Sequence, residues 1–357
     1  MKQKNFLKIT MLFVFAITAI NSFGQVVNEN FDYGMTGGVL TTASSGVWVQ
    51  HSGSADPIAY VAAPSSLTMA QYPSSGIGGH ATFSGTSQDI NRAFTEITSG
   101  TVYASALVNI SAVGSGNYFL HFNSGGFRAR VGAKDNGSGD ILFGIGASSS
   151  TLTYGTTAYS LNTTYLLAFS YEIATGVSNL HVLSAVPASE PTTPEATNTG
   201  STGSAINSIA FRQSSNIPTL AIDGLRVGTT WSEIIPAPAT PTVGFDAATS
   251  AQTETNATFN VSIPVTVSNH DGNQIDVSIA SSGSAEPADF TLNTATLSFT
   301  GDGTQNISLD INPDSNDFDD ETIILTLTET SAVTGLIISQ ATHTVTVTED
   351  EVPPTIG

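Results

Sequence analysis

The sequence predicts an all-β protein that is built from two β-sandwich domains. Apolar and polar residues alternate along residues 101–111, 165–173 and 259–267, so each segment has one apolar face, as half-buried strands do. Turn-forming residues such as Asp135–Gly139 and the pair Asp271-Gly272 lie between such segments. No segment keeps the 3.6-residue period of an amphipathic helix, and strong helix formers are scarce.

The composition excludes several functional classes. The chain of 357 residues has 9 basic and 29 acidic residues and a net charge of −20, so it lacks the basic surface that nucleic-acid binding requires. It has no cysteine, which excludes a disulfide scaffold, a thiolate zinc site and a cysteine nucleophile. A hydrophobic content of 40% also distinguishes it from a disordered acidic tail.

Residues 1–24 have the three-part form of a secretory signal peptide. Lys2, Lys4 and Lys8 precede the apolar run 9–17, and the small residues of Ser22-Phe23-Gly24 follow it. We expect cleavage before Gln25. The apolar run is shorter than the roughly 20 residues of a membrane span, so we expect no transmembrane segment in the mature chain. The expected location is secreted or extracellular, with association to the cell surface as the alternative.

Residues 25–235 are predicted to form the first sandwich. This segment opens with Glu29-Asn30-Phe31-Asp32-Tyr33 and closes with the strand of residues 220–231, which contains Ile222-Asp223-Gly224-Leu225-Arg226. The pairing of these motifs resembles the concanavalin-like or laminin-G-like jelly rolls of secreted bacterial proteins. The resemblance implies that the first and last strands lie side by side, and that the domain binds a glycan.

A stiff linker follows, in which Pro236, Pro238 and Pro241 alternate with small residues over residues 236–241. The charge changes across this linker. Residues 25–235 contain both basic and acidic residues, whereas no lysine or arginine occurs after Arg226. We expect the second domain to cover residues 242–351 and residues 352–357, with Pro353-Pro354, to form a linker-like tail.

The second domain contains three acidic segments in a characteristic order. They are Ser284–Phe290, the turn Asp314–Glu321 before an apolar strand, and the cluster Glu349–Glu351 after the last strand. This order resembles the Calx-beta family, whose fold is an immunoglobulin-like β-sandwich. The predicted fold class is therefore a jelly-roll sandwich followed by an immunoglobulin-like Calx-beta sandwich.

The resemblance implies a Ca²⁺ site at one end of this sandwich, where loops supply the six to eight oxygen ligands that calcium takes. Carried over by position, the candidate ligands are Glu254, Asp289, Asp314, Glu349, Asp350 and Glu351. The sequence departs from the family at Phe318, where an acidic residue is usual, and Asp317 or Asp319 would substitute only with a shifted turn. The alternative is that these carboxylates only keep loops and edges in solution.

In the first domain, Arg128 and Arg130 lie two residues apart on one predicted strand and are expected to face away from Phe127. Two arginines in a chain so poor in them suit a carboxylate or an acidic sugar. The interpretation that we favour is different, namely that they pair with Asp135 or Asp140 across a hairpin.

Other candidates in the first domain are expected to be structural. Asp223 precedes a glycine and is expected at a bulge or in a local hydrogen bond, and His121 is expected to be packed or at a rim. Four aromatic residues are expected to pack in the core or at its rim, with a sugar-stacking platform as the alternative: Trp48, Tyr60, Tyr72 and Trp231.

No catalytic set is visible, because no strand of the first domain has the paired carboxylates of a glycosidase. We therefore expect a secreted or cell-surface, non-catalytic binding or adhesion protein. A glycan or a surface protein would bind the jelly roll, and the acidic domain would act as a calcium-stiffened spacer. The alternative is an accessory N-terminal part of a larger secreted enzyme, a hydrolase or nuclease, with its catalytic domain further along the chain.

Overall fold

The computed structural model describes residues 24–83, 86–313, 319–333 and 335–348. The predicted signal peptide up to residue 23 and the predicted tail 352–357 lie outside the described residues. The elements up to residue 234 are β1 (Val27–Glu29), β2 (Gly38–Val39), α1 (Leu40–Ala43), β3 (Val49–Ser52), β4 (Ala59–Val61), β5 (His80–Phe83), β6 (Asp89–Ile97), β7 (Thr101–Ala112), β8 (Asn117–Asn123), β9 (Phe127–Asp135), β10 (Ile141–Gly146), β11 (Thr153–Tyr154), β12 (Thr164–Glu172), β13 (Val177–Leu183), β14 (Ala196–Thr199), β15 (Ile206–Arg212), β16 (Thr219–Gly228) and α2 (Trp231–Ile234). The remaining strands are β17 (Thr242–Phe245), β18 (Thr249–Thr253), β19 (Phe259–Ser268), β20 (Ile275–Gly283), β21 (Phe290–Leu292), β22 (Thr296–Phe299), β23 (Gly303–Ile311), β24 (Glu321–Glu329), β25 (Ile337–Gln340) and β26 (Thr342–Thr348).

The first sandwich consists of a nine-stranded and a seven-stranded sheet. The nine-stranded sheet has the order β14-β13-β12-β7-β16-β5-β4-β2, and β1 also pairs with β16. The seven-stranded sheet has the order β11-β10-β9-β8-β15-β6-β3. The alternating residues of β7 and β12 lie in the core between the sheets, because a period of two directs every second side chain to one face.

The first and last strands of this sandwich are neighbours, as the sequence predicts. Strand β1 pairs antiparallel with β16 in the register Val27↔Val227 and Glu29↔Leu225. The opening and closing motifs are therefore in direct contact, and the jelly-roll prediction is confirmed at the level of the fold.

The second sandwich consists of two five-stranded sheets, ordered β21-β23-β19-β17-β25 and β18-β26-β24-β20-β22. Most neighbours are antiparallel, but β17 pairs parallel with β25 and β18 pairs parallel with β26. Its core is formed by the predicted apolar faces, with Val261, Ile263 and Val265 on β19 and Ile307 and Leu309 on β23. This is the expected immunoglobulin-like arrangement.

Helices are almost absent from the described part of the chain. Helix α2 is one turn long and begins with a capping box in which Thr230 and Glu233 satisfy each other's backbone N–H groups. Among the described residues, no helix has both the length and the apolar character needed to cross a membrane.

Candidate functional site

The basic side chains of the first sandwich are concentrated on its seven-stranded sheet. Of the six basic residues in residues 25–235, Arg128, Arg130 and Lys134 lie on β9, and Arg212 lies on β15. In the order of the sheet, only β8 separates these two strands. The scarce positive charge of an acidic chain is therefore collected on a small area.

Five residues form what we call the basic aromatic face: Tyr118, His121, Phe127, Arg130 and Arg212. The Arg212 guanidinium carbon lies 4.3 Å from the centre of the Tyr118 ring, and that of Arg130 lies 5.2 Å from the same ring. Arg130 is also 5.4 Å from the Phe127 ring. The rings of His121 and Phe127 are 4.3 Å apart between centroids. Arginines are thus stacked on aromatic rings, at distances typical of cation–π contacts.

A β-bulge produces this arrangement and corrects one expectation. The pairing of β8 with β9 shifts register between Leu120 and Phe122, and Ala129 on β9 has a φ of 44°. The bulge breaks the alternation of β9, so Phe127 and Arg130 lie on the same side of the strand. The prediction that Phe127 faces away from Arg130 is therefore wrong.

Arg128 belongs to different surroundings. Its guanidinium donates hydrogen bonds to the Phe127 carbonyl at 2.9 Å and to the Ser204 hydroxyl at 2.6 Å. Arg128 is therefore held by neutral groups and is not part of the basic aromatic face.

The expected ion pairs across the hairpin do not form. Asp135 accepts hydrogen bonds from the N–H groups of Gly137 and Gly139, and Asp140 accepts one from the Asn136 amide. Both carboxylates are thus used within their own turn. Among the described residues, the ion pairs are Arg92 with Glu29 and His181 with Glu190, so the favoured interpretation of Arg128 and Arg130 is wrong.

Burial perturbs two groups of the face. Burial lowers the pKa of Arg130, and the positive charges of Arg128 and Arg212 lower it further, while the Tyr118 hydroxyl opposes this. Burial also lowers the pKa of His121 to about 3, and the nearby charge of Arg130 adds to this effect. His121 is therefore neutral at physiological pH.

The tautomer of His121 follows from its backbone contact. Its Nδ1 lies 3.1 Å from the Phe122 carbonyl oxygen, which can only accept, so Nδ1 carries the proton and Nε2 is an acceptor. His121 has no exposed surface, and Nε2 has no hydrogen-bond partner among the described residues. His121 is packed, as expected.

The seven-stranded sheet is concave on this side. Three strands separate β3 from β9, which corresponds to about 19 Å in a flat sheet. The rings of His51 on β3 and Phe127 on β9 are nevertheless 6.4 Å apart. The edge strand therefore leans over the basic aromatic face. Beside the face, the Lys134 ammonium lies 4.3 Å from the Tyr154 ring centre.

The other candidates of the first domain are structural, as expected. Asp223 is fully buried at a register shift of β16, and its carboxylate accepts hydrogen bonds from the N–H groups of Leu67 (2.7 Å) and Gly224 (2.6 Å). Trp48, Tyr60 and Tyr72 are each at most 2% exposed, so they provide no sugar-stacking platform. Trp231 is half-buried and packs edge-on against His181, with 5.4 Å between ring centroids.

The candidate calcium ligands of the second sandwich follow or precede strand ends that the topology brings together. Thr253 on β18 pairs with Thr348 on β26, and Glu321 on β24 pairs with Val347 on β26. In the other sheet, Ile311 at the end of β23 pairs with both Phe259 and Phe290. These described strand ends therefore lie at the same end of the sandwich.

Three of the candidate ligands are described. Glu254 is 4% exposed and its N–H donates to the Thr348 carbonyl at 2.9 Å. Asp289 is exposed and closes a tight turn, in which its carboxylate accepts from the Glu286 N–H and its carbonyl accepts from the Asn312 N–H at 2.7 Å. Asp319 is exposed at the start of the turn before β24.

The remaining candidates are Asp314, Asp317, Glu349, Asp350 and Glu351, and they lie outside the described residues. Within the described ranges, no group of three or more acidic or histidine side chains is close enough to hold a metal ion. The calcium site therefore stays a prediction.

Comparison with known proteins gives similarities to solved structures only. No protein-family profile matches the chain, and no curated protein matches it. The apo-form CBD1 domain of Calx is 17% identical, with 32% of this chain and 100% of that chain covered and a TM-score of 0.27. Domain 4 of an extracellular arabinanase from Geobacillus stearothermophilus, in complex with arabinotriose, is 14% identical over 58% of this chain and 93% of that chain, with a TM-score of 0.35.

A mutant sialidase from Trypanosoma rangeli that displays trans-sialidase activity is 12% identical, with 53% of this chain covered and a TM-score of 0.33. The chain spans about a third of that protein, 32% of its length. These TM-scores are too low to indicate a function, so the functional argument depends on the side chains of this protein.

Sequence reasoning missed three members of the basic aromatic face: Tyr118, Phe127 and Arg212. The scarcity of arginine was a usable signal for Arg212, since it is one of only six basic residues between residues 25 and 235. The positions of Tyr118 and Phe127 depend on the irregular pairing of β8 with β9, which alternation alone does not predict.

Proposed function

We propose that the chain is a secreted, non-catalytic binding protein whose first sandwich takes a glycan on the basic aromatic face. The observation that carries this proposal is that Arg130 and Arg212 stack on aromatic rings in a concave sheet without a carboxylate partner among the described residues. Charged donors that are held in place but not neutralised are suited to an external ligand.

A glycan fits this chemistry better than a flat protein partner. Sugar rings combine apolar C–H faces, which pack on aromatic side chains, with hydroxyl groups that bond to arginine donors. Phe127 is half-buried and has the ring suited to the first contact, while Arg130 and Arg212 have the polar groups suited to the second. In this proposal, the concave sheet would contact a bound chain of sugars on two sides.

The buried carboxylates support the proposal of a non-catalytic function, because both are already hydrogen-bonded within the protein. Glu29 and Asp223 are the buried acidic residues of the first sandwich. Each accepts hydrogen bonds from at least two groups of the protein itself. Neither is therefore in position to act as the acid or nucleophile of a glycosidase.

A glycan array tests this function directly. The chain from Gln25 onward, without the predicted signal peptide, is labelled and applied to the array, and we expect retention on a defined set of glycans. Phe127→Ala should weaken this signal at least tenfold, because it removes the stacking surface. Ile337→Ala is the matched control, since Ile337 is a 52% exposed apolar residue of the second sandwich. Absence of retention on every glycan would contradict the proposal.

For the second sandwich we propose a calcium-stiffened spacer. Support comes from its charge, because residues 242–357 contain no lysine or arginine to balance the carboxylates. Glu254 and Glu321 are at most 9% exposed and lie at the end where the acidic loops meet. A divalent cation would relieve the repulsion between these groups and supply the missing positive charge.

Isothermal titration with calcium chloride tests the spacer, with the melting temperature as a second readout. We expect binding at or below millimolar calcium and a rise in melting temperature, both reduced in Glu254→Gln. Asp276→Asn is the control, because Asp276 is an acidic residue at the start of β20, the opposite end of the sandwich. No heat and no shift at millimolar calcium would refute the spacer mechanism.

A further inference from the structure

We infer that the ligand of the basic aromatic face is an acidic sugar, one whose ring carries an oxyanion such as a carboxylate or a sulfate ester. This inference rests on the proposed glycan-binding function and specifies its ligand class. The oxyanion would bind to Arg130 and Arg212.

The donors that require an oxyanion are on Arg130. Its Nε and Nη1 atoms are buried and have no hydrogen-bond partner among the described residues. A buried donor that bonds to nothing is costly, so such groups normally have a partner. Nε and Nη1 lie on different edges of the guanidinium, and each shares its edge with Nη2. Either edge is a two-pronged donor that matches two oxygens of a carboxylate or sulfate.

Arg212 adds a second positive charge at the same place. Its Nη1 donates to the Asn117 side-chain oxygen at 3.0 Å, which fixes the guanidinium above the Tyr118 ring. The Tyr118 ring is thus in contact with both Arg130 and Arg212. Two like charges held around one ring repel each other, and a bound oxyanion between them would convert this repulsion into attraction.

His121 lies beneath the face and makes no contact with the sugar, because it has no exposed surface. An acidic sugar offers the oxyanion that the two arginines require. A neutral sugar would leave the arginine charges unbalanced.

The rest of the protein is acidic, so selective binding of an acidic sugar would indicate a local positive site. With a net charge of −20, the chain repels acidic polymers over most of its surface. Asp89 on β6 lies opposite Arg212 in the register of the sheet and accepts a hydrogen bond from the Gln213 N–H at 3.0 Å. Burial raises the pKa of Asp89, and this effect exceeds the opposing effects of that hydrogen bond and of the Arg212 charge. Binding of an acidic glycan therefore requires a local positive site, and the basic aromatic face is suited to be that site.

The test is isothermal titration of the chain from Gln25 onward with matched oligosaccharides. One arm compares oligogalacturonate with its methyl ester, which differs only in the charge of the carboxyl group. A second arm compares a sulfated oligosaccharide with its desulfated form. We expect at least tenfold tighter binding of one acidic form than of its neutral match, because charge-assisted hydrogen bonds are involved.

Variants locate the binding. Arg130→Gln should weaken acidic-ligand binding at least tenfold and leave the weak binding of the neutral match unchanged. Arg128→Gln is the matched control, two residues away on the same strand but bonded to Ser204, and it should bind like the wild type. Melting temperatures within 2 °C of wild type would show that both variants are folded.

The outcomes separate the two proposals. If a neutral oligosaccharide and its acidic form bind equally well, the acidic-sugar inference is overturned while the glycan-binding function stands. If acidic ligands bind but Arg130→Gln has no effect, the assigned site is wrong. If no oligosaccharide of the titration panel or the array binds, the proposed function itself fails.

Discussion

Replacement of Glu29 by glutamine should destabilise the first sandwich strongly. Glu29 is 3% exposed, and its Oε1 accepts a hydrogen bond from the Phe31 N–H at 2.7 Å. Its Oε2 accepts from Tyr33 at 2.5 Å and from Trp48 at 3.0 Å, and it also pairs with Arg92. All of these partners are donors, so a group that must itself donate does not fit.

The magnitude follows from this geometry. Glutamine has one oxygen, and in its best orientation this oxygen keeps the three partners of Oε2, while the new NH₂ group faces the Phe31 N–H. The lost bond and the unsatisfied donor cost about 1–3 kcal/mol. Arg92 also loses its counter-charge, which costs about 2–3 kcal/mol because the arginine side chain is 22% exposed and partly screened. The free energy of unfolding should fall by about 3–6 kcal/mol.

Urea unfolding followed by tryptophan fluorescence measures this loss. Both tryptophans, Trp48 and Trp231, belong to the first domain, so the signal reports on that domain alone. With a slope of about 3 kcal/mol per molar urea, the midpoint should fall by about 1–2 M. Glu96→Gln, at an exposed site on β6, is the control and should shift the free energy by less than about 0.5 kcal/mol. A loss below about 1 kcal/mol in Glu29→Gln would refute the reasoning.

Three further predictions concern other positions. Burial raises the pKa of Asp223 from 3.8 to about 7, so the stability that its proton contributes is fully present below pH 4 and is lost as the pH rises through 7. Relative to wild type, Asp223→Asn should therefore become more stable between pH 4 and pH 8, by up to about 4 kcal/mol in urea titrations. Gly224→Ala should lower the free energy of unfolding by about 2–4 kcal/mol in thermal unfolding, because φ of Gly224 is 58° and an added Cβ would lie 2.9 Å from Ser74. The control is Gly100→Ala, which should cost about 1 kcal/mol, because φ of Gly100 is 79° but an added Cβ would meet open space. Leu325→Ala should lower the free energy of unfolding of the second sandwich by about 2–5 kcal/mol, measured by circular dichroism. The tryptophan transition should not change, because both tryptophans belong to the first domain, and a change would contradict two separate cores.

Alternation was sufficient to predict the regular strands because burial imposes a strict period of two. Strand β7 covers Thr101–Ala112 and β19 covers Phe259–Ser268, close to the segments that the pattern indicates. Their apolar faces are the ones that lie in the two cores. In these strands each residue faces either a core or solvent, so composition at every second position determines orientation.

The basic aromatic face was not predictable in this way because it depends on bulges. One extra residue at Ala129 changes which side of β9 its neighbours face, and no local motif marks that position. Glu29 shows a related limit. Its position in the opening motif was apparent, but its pairing with Arg92 on β6 connects residues that are far apart in the sequence. Non-local pairings between irregular strands are set by the packing of the whole sandwich.

The distribution of positive charge distinguishes the structural arginines from the functional candidates. Arg92 is paired with the buried Glu29, and Arg226 is buried between Ser74 and Gln25, so both are held inside the first sandwich. Arg130 and Arg212 are stacked on Tyr118 instead, with no carboxylate partner among the described residues. If stability alone determined the surroundings of these two arginines, one of the chain's 29 acidic residues could pair with them and relieve their repulsion. Asp89 lies opposite Arg212 in the sheet, but neither arginine has a salt-bridge partner among the described residues, and the proposed ligand would supply the negative charge that both of them lack in direct contact.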